Sequence, residues 1–115
     1  MDLGTHYIAL TVKDIKESKD FYEKLGFVAD DRWGGVDQKW VMMLNGNIKI
    51  GLFQEMFPKN VLTFNPTDAR AIYKEVKKQG IEIAQEANMD KASGPCHFAL
   101  VDPDGNPVLI DQHND

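Results

Sequence analysis

The chain has 115 residues, of which 43% are hydrophobic and 27% charged, and its formal net charge at pH 7 is −5. We expect residues 1–115 to form one globular domain, and the negative charge argues against a nucleic-acid partner or an anionic membrane surface. The sequence shows neither a membrane-length apolar run nor the basic start of a signal peptide, and Cys96 is its single cysteine. We therefore predict a cytoplasmic protein.

The first half of the chain begins with a strand and a helix. Thr5–Val12 alternates and is rich in β-branched residues, which predicts a strand. Asp14 and Glu17 have the spacing of a capping box, and Gly26 supplies a helix stop. The expected apolar face of this helix comprises Ile15, Phe21, Tyr22 and Leu25. Three more strands are predicted at residues 27–33, 38–44 and 48–53.

The second half repeats this order of elements. After a strand at residues 60–64, Thr67 is the predicted helix cap, Pro66 blocks helix growth backwards, and Gly80 ends the helix. Its apolar face comprises Ala69, Ile72, Tyr73 and Val76. The last three strands are predicted at residues 81–85, 96–101 and 107–111. We interpret the lysines of this helix as a solvated face.

The spacing of caps and stops indicates that one βαβββ module is present twice. Asp68 and Gly80 each follow their counterparts Asp14 and Gly26 by 54 residues. The modules are module one, at about residues 5–54, and module two, at about residues 60–113. Two copies are too few for a solenoid, so they indicate fused halves of one domain.

Each module ends in a turn that joins its last two strands. Asp102–Asn106 combines Asp, Gly and Asn, which is strong turn chemistry, and Leu44–Asn47 is a weaker copy. The turn glycines Gly46 and Gly105 match at 59 residues. Module two therefore carries about five extra residues, which we place in the polar loop at residues 88–94.

This arrangement resembles the vicinal oxygen chelate superfamily, which includes glyoxalase I, the fosfomycin and bleomycin resistance proteins and extradiol dioxygenases. The likeness rests on the doubled βαβββ order, on Asp-Ile…Phe-Tyr…Leu-Gly-Phe from Asp14, and on Asp-Pro-Asp-Gly-Asn from Asp102. It implies an α+β fold in which curved mixed sheets of both modules surround a concave cavity, with the helices outside. It also implies a small-molecule ligand in that cavity. A homodimer is expected because a partner would cover the edges of two small sheets.

Enzymes of this family hold a divalent metal with His and Glu residues on the first and fourth strands of each module. Carried over residue by residue, the equivalent positions in this chain are Tyr7, Val61, Ile50 and Leu109. Aliphatic side chains cannot bind a metal, and a lone phenol is a poor ligand. His6 is one residue away and should lie on the opposite face of its strand. We therefore predict no metal and no other cofactor.

Strand alternation assigns other residues to the concave face. The predicted ligand-binding residues are Tyr7, Thr11, Trp40, Met42, Leu52, Thr63, Ala99, Leu109 and His113. The same face is expected to include Ala9, Gln38, Ile50, Gln54, Val61 and Asn65. Such a surface is largely apolar with a few polar groups, which is typical of a small-molecule site.

Three groups of residues have competing interpretations. The last hairpin places His97 opposite Asp111, so this pair, with His113, is either a catalytic base with its orienting carboxylate, a displaced metal site or an ordinary cross-strand pair. Four aromatic residues either stack on a planar ligand or belong to the core. They are Tyr7, Trp33, Trp40 and Phe53. The connector 55–59, with Met56 and Phe57, is either a lid, a dimer contact or a simple link.

Two functions follow from these observations. The first is a metal-free protein that binds a small apolar or aromatic molecule, like the bleomycin resistance proteins. The alternative is a lyase-like, glyoxalase-like or dioxygenase-like enzyme with a non-standard site at His97, Asp111 and His113. A structural or regulatory dimer without a ligand is a third, weaker reading. Because a fold does not fix a function, the site residues decide between them.

Overall fold

The order of elements is βαβββ followed by βαβββ, an α+β fold, in the computed structural model of the chain. The structure describes residues 1–114, and Asp115, the last residue of the predicted domain, lies outside the described residues. The elements are β1 Thr5–Val12, α1 Ile15–Lys24, β2 Val28–Gly35, β3 Trp40–Asn45, β4 Ile48–Gln54, β5 Val61–Asn65, α2 Ala69–Lys78, β6 Gln85–Ala87, β7 Cys96–Val101 and β8 Pro107–Gln112. Neither α1 nor α2, of ten residues each, is long or apolar enough to cross a membrane, and residues 1–114 contain no other α-helix.

Contacts between Cα atoms group the chain into two compact units. We call Tyr7–Asn60 the first unit, and Met1–His6 together with the chain from Val61 onward the second unit. They correspond closely to the two predicted modules.

In the first unit, four strands form a mixed sheet in the order β2-β3-β4-β1. β1 and β4 are parallel, whereas β2–β3 and β3–β4 are antiparallel. One face of this sheet packs against α1 around a buried cluster of Ile15, Val41, Met43, Ile50 and Leu52. The carboxylate of Asp14 caps α1, as predicted, by accepting a hydrogen bond from the backbone N–H of Glu17 at 3.2 Å.

The predicted apolar face of α1 is wrong at two positions. Ile15 is buried and Tyr22 is half-buried, but Phe21 is 56% exposed and Leu25 is 58% exposed. Phe21 lies about 120° around the helix axis from Ile15, away from the sheet. Leu25 follows the last helical residue, Lys24, and occupies the C-cap.

In the second unit, the sheet order is β5-β8-β7-β6, with β5 and β8 parallel and the other pairs antiparallel. Its helix α2 packs on a cluster of Ala69, Ile72, Val76, Cys96, Phe98 and Ile110. Burial raises the pKa of the Cys96 thiol, so this cysteine is a packing residue.

In the second unit, the helix cap and the extent of the sixth strand differ from the prediction, and β5 and β8 differ from it by one residue at their ends. The cap of α2 is Asp68, whose carboxylate accepts from the Ala71 N–H at 3.0 Å, and not Thr67. The sixth strand is Gln85–Ala87 and not residues 81–85. A periodic apolar run after Gly80 suggested a longer strand, but Ile81 is exposed and only the residues from 84 onward bond to β7.

The turn between β7 and β8 is closed by Asp102, as its sequence predicts. One carboxylate oxygen accepts from the backbone N–H groups of Asp104 at 2.9 Å and Asn106 at 2.8 Å, and the other accepts from the Asn106 amide at 2.9 Å. These bonds, chiefly the one from the Asn106 side chain, lower the pKa of Asp102. The positive φ of Gly105, 88°, completes the turn.

Candidate functional site

Each sheet has one face covered by its helix and a second face that points away from that helix. In the first unit, register fixes which residues share the second face. Trp40 and Met42 on β3 pair with Phe53 and Gly51 on β4, and Gly51 in turn pairs with Ala9 on β1. We call Tyr7, Trp40, Met42 and Phe53 the aromatic face.

The predicted alternation of β4 is wrong by one residue. Ile50 and Leu52 belong to the cluster under α1, and Leu52 is completely buried there, so it does not lie on the predicted ligand face. Lys49, Gly51 and Phe53 lie on that face. The position equivalent to Leu109, which pairs with Thr63, is therefore Gly51 and not Ile50.

The cause of this error is the difference in length between the two hairpins. The β3–β4 turn has two residues between the paired Asn45 and Ile48, whereas the β7–β8 turn has five between Val101 and Pro107. When the two turns are aligned on their glycines, every β4 residue is therefore assigned to the wrong face of the sheet.

Two polar residues assigned to this face lie elsewhere. Gln38 is exposed in a 3₁₀ turn, Val36–Gln38, that precedes β3, because Lys39 with φ of 67° breaks the strand. The side-chain oxygen of Gln54 accepts from the backbone N–H of Ile15 at 3.0 Å, so Gln54 points toward α1. It shares this side with Leu52.

The centre of the aromatic face is a stacked pair of rings. Trp40 and Phe53 are almost parallel, at 6° with their centroids 6.0 Å apart, and Phe57 lies 5.2 Å from Phe53. Two glycines make room for these rings. A Cβ on Gly34 would lie 2.5 Å from Trp40 Cε2, and one on Gly51 would lie 2.6 Å from Phe53 Cε2.

The other predicted aromatic residue, Trp33, is separate from this group. It is 71% exposed on the edge strand β2, and the Arg32 guanidinium lies 5.9 Å from its ring centroid. Arg32 also donates to both carboxylate oxygens of Asp30, at 2.8 and 2.7 Å. These bonds lower the pKa of Asp30 to about 2.

Lys49 and Thr11 place polar groups beside the aromatic face. The Lys49 ammonium lies 5.3 Å from the centroid of the Tyr7 ring. The Thr11 hydroxyl donates to the Phe57 carbonyl at 2.8 Å, and its backbone N–H donates to the Asn60 side chain at 3.0 Å. The connector is thus fixed to β1, with Phe57 packed onto Phe53.

In the second unit, the register predicted for the final hairpin is confirmed. His97 is opposite Asp111 and Ala99 is opposite Leu109. These four residues and Thr63 share the face that points away from α2.

Asp111 has a closer side-chain partner than His97. Its carboxylate lies 3.3 Å from Nε2 of His113, a residue that is 70% exposed. His97 is also exposed. The hydroxyl of the buried Thr63 donates to the Val61 carbonyl, and the amide of Asn65 donates to the Asp111 backbone carbonyl. The structure brings the three predicted catalytic-site residues into one region, which water reaches.

The residues do not fit the metal that the superfamily resemblance implies. With β4 corrected, the four equivalent positions are Tyr7, Gly51, Val61 and Leu109, and the tyrosine is the only one with a polar side-chain atom. Within residues 1–114, no three His, Cys, Asp or Glu side chains are arranged to hold a metal ion. We derive no chemical step through a metal.

Comparison with known families identifies the class of protein. A family model, the Glyoxalase/Bleomycin resistance protein/Dioxygenase superfamily, matches residues 4–110. The chain belongs to this superfamily. A comparison with curated proteins found no match.

Solved structures of other proteins show the same fold. A glyoxalase/bleomycin resistance protein/dioxygenase superfamily member from Vibrio splendidus 12B01 is 18% identical, with a TM-score of 0.69 over 94% of this chain and 97% of that one. A structure described as NAD-dependent benzaldehyde dehydrogenase from Legionella pneumophila is 22% identical, with a TM-score of 0.70 over 96% of this chain and 100% of that one. Methylmalonyl-CoA epimerase from Mycobacterium tuberculosis is 14% identical, with a TM-score of 0.66 over 95% and 87%. At these identities the likeness concerns the fold.

Reasoning from the sequence missed three residues that shape the aromatic face. They are Gly34, Lys49 and Gly51. The two-residue turn Gly46-Asn47 was the available signal for the latter two, because a tight hairpin fixes which β4 residues lie opposite Trp40 and Met42. Nothing in the sequence indicated the role of Gly34. It lies against Trp40, six residues further along the chain, across an irregular β2–β3 pairing that could not be foreseen.

Proposed function

We propose that this protein binds a small, planar, apolar or aromatic molecule on the aromatic face of the first unit. The observation that carries the proposal is the parallel Trp40–Phe53 pair, which is stacked at 6.0 Å and half-buried, so part of the ring surface stays accessible. Aromatic rings that are held in place but not fully covered offer large contact area at low cost in conformational entropy.

The backbone supports this role by fixing the rings before a ligand arrives. Glycine at positions 34 and 51 lets Trp40 and Phe53 lie directly against the sheet, where any other residue would push them outward. Phe57, tied to Thr11 through its carbonyl, supports the far side of Phe53. Such preorganisation favours binding because less motion is lost when the complex forms.

The nature of the ligand follows from what surrounds the rings. Met42 and Ala9, on the same side of the sheet, are buried apolar residues, and Lys49 beside Tyr7 supplies a positive charge at one side. We infer that the ligand is flat and mostly apolar, and that an acidic substituent would gain from Lys49.

The test uses two probes that differ in shape. Saturation-transfer NMR should show that indole binds and that cyclohexanol, which is apolar but not planar, does not. Trp40→Ala should abolish the indole signal, whereas Trp33→Ala, which removes the exposed tryptophan on β2, should leave it unchanged. Equal loss in both variants, or no indole binding by the wild type, would refute the proposal.

Thermal unfolding of the same variants separates binding from folding. Trp40 is only half-buried, so Trp40→Ala should cost less than the about 3–5 kcal/mol of a fully buried tryptophan. If Trp40→Ala unfolds the protein, then the ring is structural and the ligand site is elsewhere.

An enzymatic alternative centres on the second unit. The observation in its favour is the 3.3 Å contact between Asp111 and His113, because a carboxylate that orients an imidazole is one half of a general-base arrangement. Against it, both His97 and His113 are exposed, and general bases work best where water is excluded. Asp111→Asn should abolish any lyase or hydrolase turnover found for this protein if the alternative holds.

Metal independence is part of the proposal. The expectation rests on the side chains at Tyr7, Gly51, Val61 and Leu109. Elemental analysis of untagged protein should find no stoichiometric Zn, Ni, Fe or Mn. A stoichiometric metal would contradict it and would direct attention to His97, Asp111 and His113.

A further inference from the structure

A cleft lies in the second unit, between α2 and the loop that joins β6 to β7. Its volume is about 500 Å³, within the usual range of small-molecule sites. Four of its lining residues are cationic, namely Arg70, Lys74, Lys77 and Lys91. We call this the cationic cleft. A concentration of positive charge is unexpected on a chain whose net charge is −5.

Among the described residues, no carboxylate forms an ion pair with a cation of the cationic cleft, but Glu86 is linked to Lys77 through the Tyr73 hydroxyl, so one negative charge lies close to the cleft. Within residues 1–114, the ion pairs of lysine and arginine involve Lys16, Lys19 and Arg32, and none involves a cation of the cleft. Four like charges in one concave region repel one another and attract anions, and low-dielectric walls strengthen this field.

Arg70 builds the wall of the cationic cleft. Its guanidinium donates to the backbone carbonyls of Asn88, Ser93 and Gly94, each at 3.1 Å. All three acceptors are neutral, so they hold the loop against α2 but leave the charge of Arg70 uncompensated. Its Nε is buried and has no hydrogen-bond partner among the described residues, which is unusual for a buried donor.

The cleft also has an aromatic and apolar side. The Tyr73 ring packs edge-on against Phe98 at 5.3 Å, and the Lys77 ammonium lies 4.8 Å from the Tyr73 ring centroid. Met89 adds apolar surface from the loop. The Tyr73 hydroxyl donates to the Glu86 carboxylate, which fixes the ring. The Lys77 ammonium lies over this ring, so a flat group that stacks on Tyr73 would have to displace it.

We propose that the cationic cleft binds a small organic phosphate that has a planar apolar part, of the nucleoside diphosphate class. Phosphate oxygens would meet the ammonium groups of Lys74, Lys77 and Lys91, and the planar part would lie against Tyr73 and Met89. The site is separate from the aromatic face and stands whether or not the function proposed above is correct.

Isothermal titration calorimetry with ADP, adenosine and inorganic phosphate tests the proposal. ADP should bind the wild type more tightly than either fragment, because only ADP carries both parts of the ligand. Binding should weaken as salt screens the cations. No binding of ADP at millimolar concentration, or adenosine binding as tightly as ADP, would overturn it.

Two triple variants with the same change in net charge locate the site. The cleft variant carries Lys74→Gln, Lys77→Gln and Lys91→Gln. The control carries Lys16→Gln, Lys19→Gln and Lys24→Gln on α1. The dissociation constant for ADP should rise about tenfold or more in the cleft variant and stay within about twofold of the wild type in the control.

Two outcomes of this comparison are decisive. Equal weakening in both variants would mean that ADP responds to net charge alone, and the cationic cleft would be refuted. If the cleft variant does not fold, as judged by circular dichroism, then Lys91→Gln alone, a change in the loop, should still weaken ADP binding several-fold. An unchanged affinity in that variant would equally overturn the proposal.

Discussion

Substitution of Gly51 by Ala tests the close packing of Phe53, Tyr7 and Met42 around Gly51, on which the aromatic face depends. A Cβ at this position would lie 2.6 Å from Phe53 Cε2, 3.1 Å from Tyr7 Cε2 and 3.2 Å from the Met42 sulfur. Ordinary contacts between carbon atoms are about 3.5–4.0 Å, so the Phe53 ring must move by about 1 Å. Overpacking of this kind costs about 1–3 kcal/mol.

A double-mutant cycle shows whether Phe53 is the residue that Gly51 accommodates. Phe53→Leu removes the Cε2 atom, and alone it should cost about 1 kcal/mol. In the presence of Phe53→Leu, the cost of Gly51→Ala should fall, with a coupling energy of about 1–2 kcal/mol. Ile50→Ala serves as the control, because it opens a cavity under α1, costs about 2–5 kcal/mol and should not couple to Phe53.

Urea unfolding of the wild type, the single variants and the two double variants gives these free energies directly. If the costs of Gly51→Ala and Phe53→Leu simply add, the close contact does not exist. If Ile50→Ala couples to Phe53 as strongly as Gly51→Ala does, then the coupling is a general effect of destabilisation and not evidence of the close contact.

Four further results are expected. Asp68→Ala should cost about 1 kcal/mol of stability in urea unfolding and Thr67→Ala much less, because only Asp68 caps α2; equal costs would contradict this. The pKa of Asp30, measured by NMR titration, should lie near 2 in the wild type and rise toward 3.8 in Arg32→Gln. Because the folded pKa is the lower one, this pair's contribution to stability is full above pH 3.8 and is lost as the pH falls toward 2. Arg70→Gln should speed amide hydrogen exchange in the β6–β7 loop without changing exchange in α1, since three carbonyls of that loop lose their donor. Light scattering should give a homodimer of about twice the 13.0 kDa chain mass, and a single-chain mass at micromolar concentration would refute the dimer.

The elements that could be predicted from the sequence are those with both a periodic apolar pattern and a cap or turn residue that marks where the element ends. β1 and β7 have the predicted bounds because alternating apolar residues are followed by Asp14 in one case and by the Asp102 turn in the other. The registers of β7 and β8 followed from the same turn. At each of these places, the residues close by in the sequence were sufficient to predict the strand bounds or the register.

The elements that could not be predicted depend on non-local packing. Nothing in the sequence between Gly80 and Gln85 shows that Ile83 packs into the core while Ile81 is exposed. Likewise, Phe21 and Tyr22 are adjacent aromatic residues on one helix, and only the position of the sheet decides which one it covers. The predicted ligand face was wrong along β4 for a related reason. A shift of one residue in the alignment exchanges the two faces of a strand.

The two units share their strand alternation but have diverged in chemistry on the face away from the helix. Where the first unit has Ala9 beside Gly51, with large rings on either side, the second has Thr63 beside Leu109, with Asp111 further along the same strand. On the face away from the helix, only the first unit offers the flat ring surface that the proposed planar ligand requires. In the second unit the ring available for stacking is Tyr73, on the helix side, and there it is accompanied by cations. The same backbone is thus present twice, and the two proposals place different ligands on different faces of its two copies.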